Sequence, residues 1–69
     1  MIHCKLAVRL AERGPLKITE VAKVTGISRT TLTALYYNSS KGIQLDTLNR
    51  LCNYLDIRPD ELFQFTPDI

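Results

Sequence analysis

The sequence has few of the residues that catalysis usually needs. Its 69 residues include one histidine and three glycines, and no tryptophan. No Gly-rich phosphate-binding loop is present, and the single histidine leaves no Ser/His/Asp set. No carboxylate pair marks a pocket wall, and so short a chain can build little of a pocket. We therefore expect no enzyme, no cofactor and no small-molecule ligand.

Cysteine is also scarce, with Cys4 and Cys52 far apart in apolar patterns. Neither has a second Cys or a His at ligand spacing, and the adjacent His3 and Cys4 alone are a poor metal signal. Inert thiols and no metal site are expected. The longest apolar run is too short to cross a bilayer, and no signal-peptide pattern precedes the first helical segment. The sequence thus predicts a cytoplasmic protein without membrane contact.

Apolar residues are abundant, and charge is unevenly distributed. The 45% hydrophobic residues indicate a globular protein, and the length predicts one domain spanning residues 1–69. Residues 1–55 carry eight Lys or Arg against three Asp or Glu, hence +5, whereas residues 56–69 carry one Arg against four acids, hence −3. A basic body is typical of a protein that binds a polyanion on one side, although ordinary solvated charge gives the same pattern.

One stretch contains two short helical patterns separated by Gly26. Gly26 takes the position just past the first pattern, where a left-handed conformation costs little for a residue without a Cβ atom. The first pattern repeats at the spacing of one helix face. Its inward positions are Ile18, Val21, Ala22 and Thr25.

The second pattern begins after Ser28, whose hydroxyl suits a helix N-cap. Leu32 and Leu35 of this pattern face inward, and Ile27 precedes it as an inward apolar plug. A buried stripe beneath a face of short polar residues is typical of a helix that enters a nucleic-acid groove. The outward face consists of Arg29, Thr30, Thr33 and Ala34.

Ala22, Gly26, Ile27, Leu32 and Leu35, at these spacings, resemble the helix-turn-helix of the lambda-repressor/Cro-like (xenobiotic-response-element) family. The likeness continues into the segments that follow the motif and covers nearly the whole chain, in the manner of a compact bacterial or phage subgroup. It implies an all-α domain of five helices, with the motif at about residues 18–37.

The resemblance also implies a function. It indicates a sequence-specific transcriptional regulator, a repressor, that binds double-stranded DNA with the helix after Ser28 in the major groove. Many relatives carry a Gln at the position of Ile18, where its amide clamps a phosphate. Ile18 cannot do so, and Lys17 and Thr19 are the available substitutes. The implied base contacts are Arg29, Thr30, Thr33 and Ala34, and the implied backbone contacts are Lys17, Thr19, Ser28, Tyr37, Asn38, Ser39 and Lys41. The alternatives are a phosphate clamp or a surface salt bridge for Arg29, and a plain solvated loop for residues 36–42.

The other helices are predicted from their apolar stripes. The first runs from Leu6 to about Arg13 and stops at Gly14-Pro15. Its basic face, either solvated or in contact with phosphate, consists of Lys5, Arg9 and Arg13. The fourth helix follows Gln44 on the stripe Leu45, Leu48, Leu51, Cys52 and Leu55, and Pro59 opens a short fifth helix that ends near Phe63. The expected core is Leu6, Leu10, Val21, Ala22, Ile27, Leu32, Leu35, Leu48, Leu51 and Leu55.

Phe63 and Phe65 follow the fifth helix. On an extended segment both would point to the same side. Because so small a domain can hardly bury both, contact between two protomers is one interpretation. The alternatives are a lid on the core and pairing with residues 1–4, which would add short extended segments to the five helices. One recognition helix covers few base pairs, so a homodimer is expected, with half-sites about 34 Å apart or a multiple of that.

A second function remains open from the sequence alone. The same fold serves in antitoxin-like or partner-docking proteins, which would bind another protein through the apolar end of the domain. A salt titration of binding to random duplex DNA separates the two hypotheses. Phosphate contacts make the affinity fall steeply with salt, whereas a protein-only module would show little DNA binding.

Overall fold

The computed structural model describes residues 1–14 and 16–68; Pro15 and Ile69 lie outside the described residues. The five predicted helices are confirmed, with bounds within a residue or two of those expected. In chain order the elements are β1 (Ile2–Cys4), α1 (Leu6–Glu12), α2 (Ile18–Thr25), α3 (Arg29–Tyr36), α4 (Leu45–Leu55), α5 (Pro59–Leu62) and β2 (Phe63–Phe65).

The all-α prediction is incomplete, because the two ends of the chain form a small antiparallel sheet. β1 pairs with β2 so that Ile2 lies opposite Phe65 and Cys4 lies opposite Phe63. Of the interpretations left open for the two phenylalanines, pairing with the first residues of the chain is therefore observed. Strands of three residues are too short for an alternating pattern to distinguish them from an irregular chain end.

The core lies where the five helices meet. Eight of the ten expected core residues are buried, whereas Ala22 and Leu48 are half-buried at its edge. Leu62 of α5 is fully buried and was not expected. Leu45 was wrongly assigned to the inward stripe, since it is 81% exposed at the first turn of α4. Among the described residues, the buried apolar side chains are Leu6, Leu10, Val21, Ile27, Leu32, Leu35, Leu51, Leu55 and Leu62.

The basic face expected on α1 is partly used within the protein. The Arg9 Nε donates to the Glu61 carbonyl at 2.8 Å, and its Nη1 lies 2.9 Å from a Glu12 carboxylate oxygen. Arg9 thus fastens α1 to α5. The end of α1 agrees with the expectation, since Gly14 has a positive φ of 68°. The Pro15 part of that stop signal lies outside the described residues.

Candidate nucleic-acid interface

A tight turn joins α2 to α3. Gly26 adopts the left-handed conformation, with φ at 76°, and its N–H donates to the Ala22 carbonyl at 2.9 Å. The Thr25 hydroxyl donates to the Val21 carbonyl at 2.6 Å and accepts the N–H of Ile27 at 3.2 Å. These bonds satisfy polar groups at the end of α2 and fix the direction in which the chain enters α3.

Arg50 of α4 supports this turn from behind. Its Nη1 donates to the Thr25 carbonyl at 3.4 Å, and its Nε lies 3.1 Å from an Asp46 carboxylate oxygen. A Cβ atom at Gly26 would lie 3.3 Å from the Arg50 Nη1. Arg50 is not among the residues predicted for this site. The i,i+4 spacing of Asp46 and Arg50 signals their ion pair, but only tertiary packing brings the arginine to the turn.

Ser28 is the N-cap of α3, as predicted. Its Oγ accepts the N–H of Thr31 at 3.2 Å and donates to the Thr31 Oγ1 at 2.9 Å. The second bond was not expected, although a hydroxyl three residues after the cap could have indicated it. Because the Ser28 hydroxyl donates to Thr31, it can reach a phosphate only by giving up that bond.

The two sides of α3 differ in burial as the sequence predicts. Leu32 and Leu35 anchor the helix in the core. On the opposite side Arg29, the first residue of the helix, is exposed and forms no ion pair within residues 1–14 and 16–68. The outward face contains the exposed Arg29, Thr30 and Thr33 and the half-buried Ala34. The fold therefore presents one cation and two hydroxyls on a rigid, anchored helix.

Asn38 ties the far end of α3 to the sheet. It adopts a positive φ of 57°, which Asn tolerates better than most residues. Its Oδ1 accepts the N–H of Cys4 at 2.9 Å, and its Nδ2 lies 3.2 Å from the His3 Nδ1. We call this arrangement of Asn38, His3 and Cys4 the clasp. Asn38 was predicted as a DNA contact, and the clasp was not predicted, because no sequence signal links β1 to this position.

The other predicted backbone contacts are exposed, but they differ in availability. Ser39 folds back, and both its N–H and its hydroxyl donate to the Ala34 carbonyl, at 2.8 and 3.3 Å. Tyr37 is 71% exposed and packs edge-on against Tyr36, with ring centroids 5.0 Å apart. Of the predicted backbone contacts, those with exposed side chains that form no hydrogen bond or ion pair in the described part of the chain are Lys17, Thr19, Tyr37 and Lys41.

The Arg58 and Asp60 charges near the C-terminal end are paired with each other, and the two cysteine thiols are partly buried. Arg58 forms two hydrogen bonds to the Asp60 carboxylate, at 3.0 and 2.6 Å, which lower the pKa of Asp60 and raise that of Arg58. Burial raises the pKa of the Cys4 and Cys52 thiols, which favours the unreactive protonated form.

Residues 1–14 and 16–68 contain no group of three His, Cys, Asp or Glu side chains placed to hold a metal ion. None of the helices described is long and apolar enough to cross a membrane.

A glycine turn, a capped second helix and its outward polar face make this a helix-turn-helix domain. Over residues 5–68 the sequence matches the Cro/C1-type HTH DNA-binding domain family, and the chain belongs to that family. It is also similar to an uncharacterized HTH-type transcriptional regulator, YozG, of Bacillus subtilis (strain 168). The two are 31% identical over 67 residues, which cover 97% of this chain and 79% of the relative. The resemblance seen in the sequence is thus confirmed, and with it DNA binding in transcription regulation.

Proposed function

We propose that the protein is a sequence-specific repressor that places α3 in the DNA major groove and reads a guanine with Arg29. The observation that carries this proposal is the exposed face of α3 on the helix-turn-helix of a DNA-binding family. Leu32 and Leu35 hold the helix against the core, which fixes the backbone positions from which its outward side chains project. A repressor needs no more than occupation of an operator that overlaps a promoter.

Arg29 is the residue best placed for base recognition. It lies in the first turn of α3, the end that approaches the bases in helix-turn-helix proteins. Its guanidinium can donate two parallel hydrogen bonds to the O6 and N7 of guanine. Thr30 and Thr33 offer methyl groups that can contact a thymine methyl, and Ala34 offers another at the edge of the face.

The proposed phosphate contacts flank the recognition helix. Lys17 and Thr19 lie at the start of α2, and Tyr37 and Lys41 follow α3; all four have donors available. Ser28, Asn38 and Ser39, the other proposed contacts, hold the ends of α3 within the protein. They reach phosphate only where those internal bonds are shared or broken.

Two copies of the domain are proposed to bind together, because one α3 reads too few base pairs for specificity. Phe63 and Phe65 are the proposed contact between the copies. Phe65 is 68% exposed and lies opposite Ile2, which is 63% exposed, and a contiguous exposed apolar patch is typical of an interaction site.

The test is to select bound genomic fragments, define the operator, and measure Arg29→Ala against it and each single-base variant. Loss of a bidentate base contact should cost about 1–3 kcal/mol and relax the preference at one position per half-site. Lys17→Ala should weaken binding to all DNA sequences alike and make the affinity less dependent on salt concentration. Lys23→Ala, another exposed lysine on α2, is the matched control. A uniform loss for Arg29→Ala would show a backbone anchor instead of a base contact.

The repressor role and the protein-docking alternative need separate measurements. A reporter whose promoter overlaps the operator should lose expression when the protein is present, and Arg29→Ala should restore it. Salt titration on random duplex DNA addresses the alternative. Affinity that does not fall with salt, or no binding at all, would favour a protein-interaction module.

A further inference from the structure

An open groove lies between the sheet and the helices beside it. Its volume of about 480 Å³ falls within the range of about 300–1,000 Å³ that small-molecule sites usually have. A site of this size was not expected in so short a chain. Its walls come from both strands, the end of α3, the segment before α4, and α4 itself. The apolar walls include Ile2, Cys4, Leu35, Ile43, Leu48 and Phe63.

Several of these walls are only partly covered by the protein. Leu48 was expected in the core but is half-buried, because one side of it borders the groove. Ile43 is likewise half-buried, and Ile2 is 63% exposed. An apolar group in the groove would remove these surfaces from water. The gain amounts to about fourfold in affinity for each methylene that becomes fully buried.

The polar groups at the rim leave one charge without a partner. The Asp60 carboxylate is bonded by Arg58 at 3.0 and 2.6 Å. Asn38 is engaged in the clasp, and the Ser40 hydroxyl donates to a backbone carbonyl of its own loop at 2.5 Å. Lys41 is exposed and forms no hydrogen bond or ion pair within residues 1–14 and 16–68. The groove thus combines apolar walls with one available cation.

We propose that the groove binds an amphipathic monocarboxylic acid of the medium-chain fatty acid type, and that this ligand opposes DNA binding. Its chain lies along the apolar walls and its carboxylate pairs with the Lys41 ammonium, a point charge that imposes no bidentate geometry. A ligand with many polar groups fits less well, because the walls would leave those groups without hydrogen-bond partners.

The effect on DNA rests on the proposed function, in which Lys41 contacts a phosphate. A carboxylate at Lys41 occupies that cation and adds a negative charge beside the DNA backbone. Asn38, which holds the end of α3, also lines the groove. Ligand and DNA therefore compete for one side chain, and each weakens the binding of the other by the same factor. Accumulation of the acid would relieve repression.

Titration of the free protein with octanoate, followed by amide NMR shifts, tests the site without DNA. We expect saturable shifts at Leu35, Ile43, Leu48 and Phe63, and about two- to fourfold tighter binding for each methylene added from hexanoate to octanoate. Octan-1-ol has the same chain without the charge. It should bind about two- to fivefold more weakly than octanoate, the usual contribution of an exposed ion pair.

A substitution at the rim separates the charge from the walls. Lys41→Gln should lower the affinity for octanoate to that for octan-1-ol and leave octan-1-ol binding unchanged. Lys23→Gln is the matched control, because Lys23 is also exposed but lies on α2 outside the groove. It should change neither affinity.

Three results would overturn the site. Equal binding of octanoate and octan-1-ol to the wild type would exclude recognition of the carboxylate. Shifts that do not saturate, or that lie away from the groove, would exclude the groove. Octanoate binding that disappears as the protein self-associates would show that a second copy fills the groove instead.

DNA affinity is then measured with saturating octanoate and with acetate at the same ionic strength. Octanoate should weaken binding about fivefold per bound protomer at about 0.15 M salt, the contribution of one phosphate contact, and should have no such effect on Lys41→Gln. Unchanged DNA affinity at saturation would overturn the opposition between ligand and DNA. Absence of DNA binding even without octanoate would instead count against the proposed function, while the titration of the free protein would still decide whether the groove binds the acid.

Discussion

The clasp at Asn38 should contribute measurably to stability, and two substitutions separate its components. Asn38→Gly keeps a residue that accepts the positive φ of 57° but removes both side-chain bonds. Asn38→Ala removes the same bonds and adds the cost of a left-handed conformation. Since the bonded groups are exposed, each bond belongs in the lower part of the usual range, about 0.5–1 kcal/mol.

The expected free energies of unfolding follow from these parts. Asn38→Gly should lose about 1–2 kcal/mol, the sum of two modest hydrogen bonds. Asn38→Ala should lose about 1 kcal/mol more, because its Cβ atom disfavours positive φ. Asn38→Asp is the informative intermediate. It keeps the oxygen that accepts the Cys4 N–H and replaces the amide NH2 beside the His3 Nδ1 by a carboxylate oxygen, which cannot donate to that nitrogen.

Urea denaturation gives the stabilities, and amide hydrogen exchange reports the bond itself. The Cys4 N–H should exchange faster in Asn38→Gly than in the wild type, and Asn38→Asp should retain its protection. Equal stability of Asn38→Gly and the wild type, with unchanged exchange at Cys4, would refute the clasp. If Asn38→Ala were no less stable than Asn38→Gly, the backbone argument alone would be refuted.

Two further substitutions test the turn and the cap of the motif. Gly26→Ala should lower the free energy of unfolding by about 1–2 kcal/mol, because Ala disfavours the left-handed conformation. Thermal unfolding measures this loss, and an unchanged transition would contradict the observed φ of 76°. Ser28→Ala should lower the free energy of unfolding by about 1 kcal/mol, because the N-cap bond to Thr31 is lost. Thr30→Ala should change the stability little, because the Thr30 side chain is exposed and forms no hydrogen bond. Equal effects of Ser28→Ala and Thr30→Ala on urea denaturation would argue against the cap.

The five helices could be predicted because each has a local signal. Ser28 before α3, Gly26 after α2 and Pro59 at the start of α5 mark helix ends by their own chemistry. The periodic leucines then identify the buried faces. Leu45 misled the prediction because periodicity places a residue on a helix face, but it does not reveal how far the core extends along the helix.

Pairing between the two ends of the chain was one of several alternatives that the sequence left open, and the supports of α3 were not predicted, because all of these contacts join residues distant in the chain. The clasp joins Asn38 to β1 at a separation of 34 residues, and Arg50 reaches Thr25 across 25 residues. Neither contact leaves a spacing that a single sequence displays. For the same reason Asn38 was assigned to DNA alone, whereas its side chain is bonded to β1 within the protein.

The recognition helix is consequently held at both of its ends by polar bonds. The cap at Ser28 holds the first turn, and the clasp at Asn38 holds the last turn against β1. β1 in turn pairs with β2, which carries Phe63 and Phe65, the proposed contact between the copies. A second copy at β2 would therefore order the same sheet that fixes the end of α3. Because such coupling is reciprocal, DNA that immobilises α3 would tighten the dimer by the factor with which dimer formation tightens DNA binding.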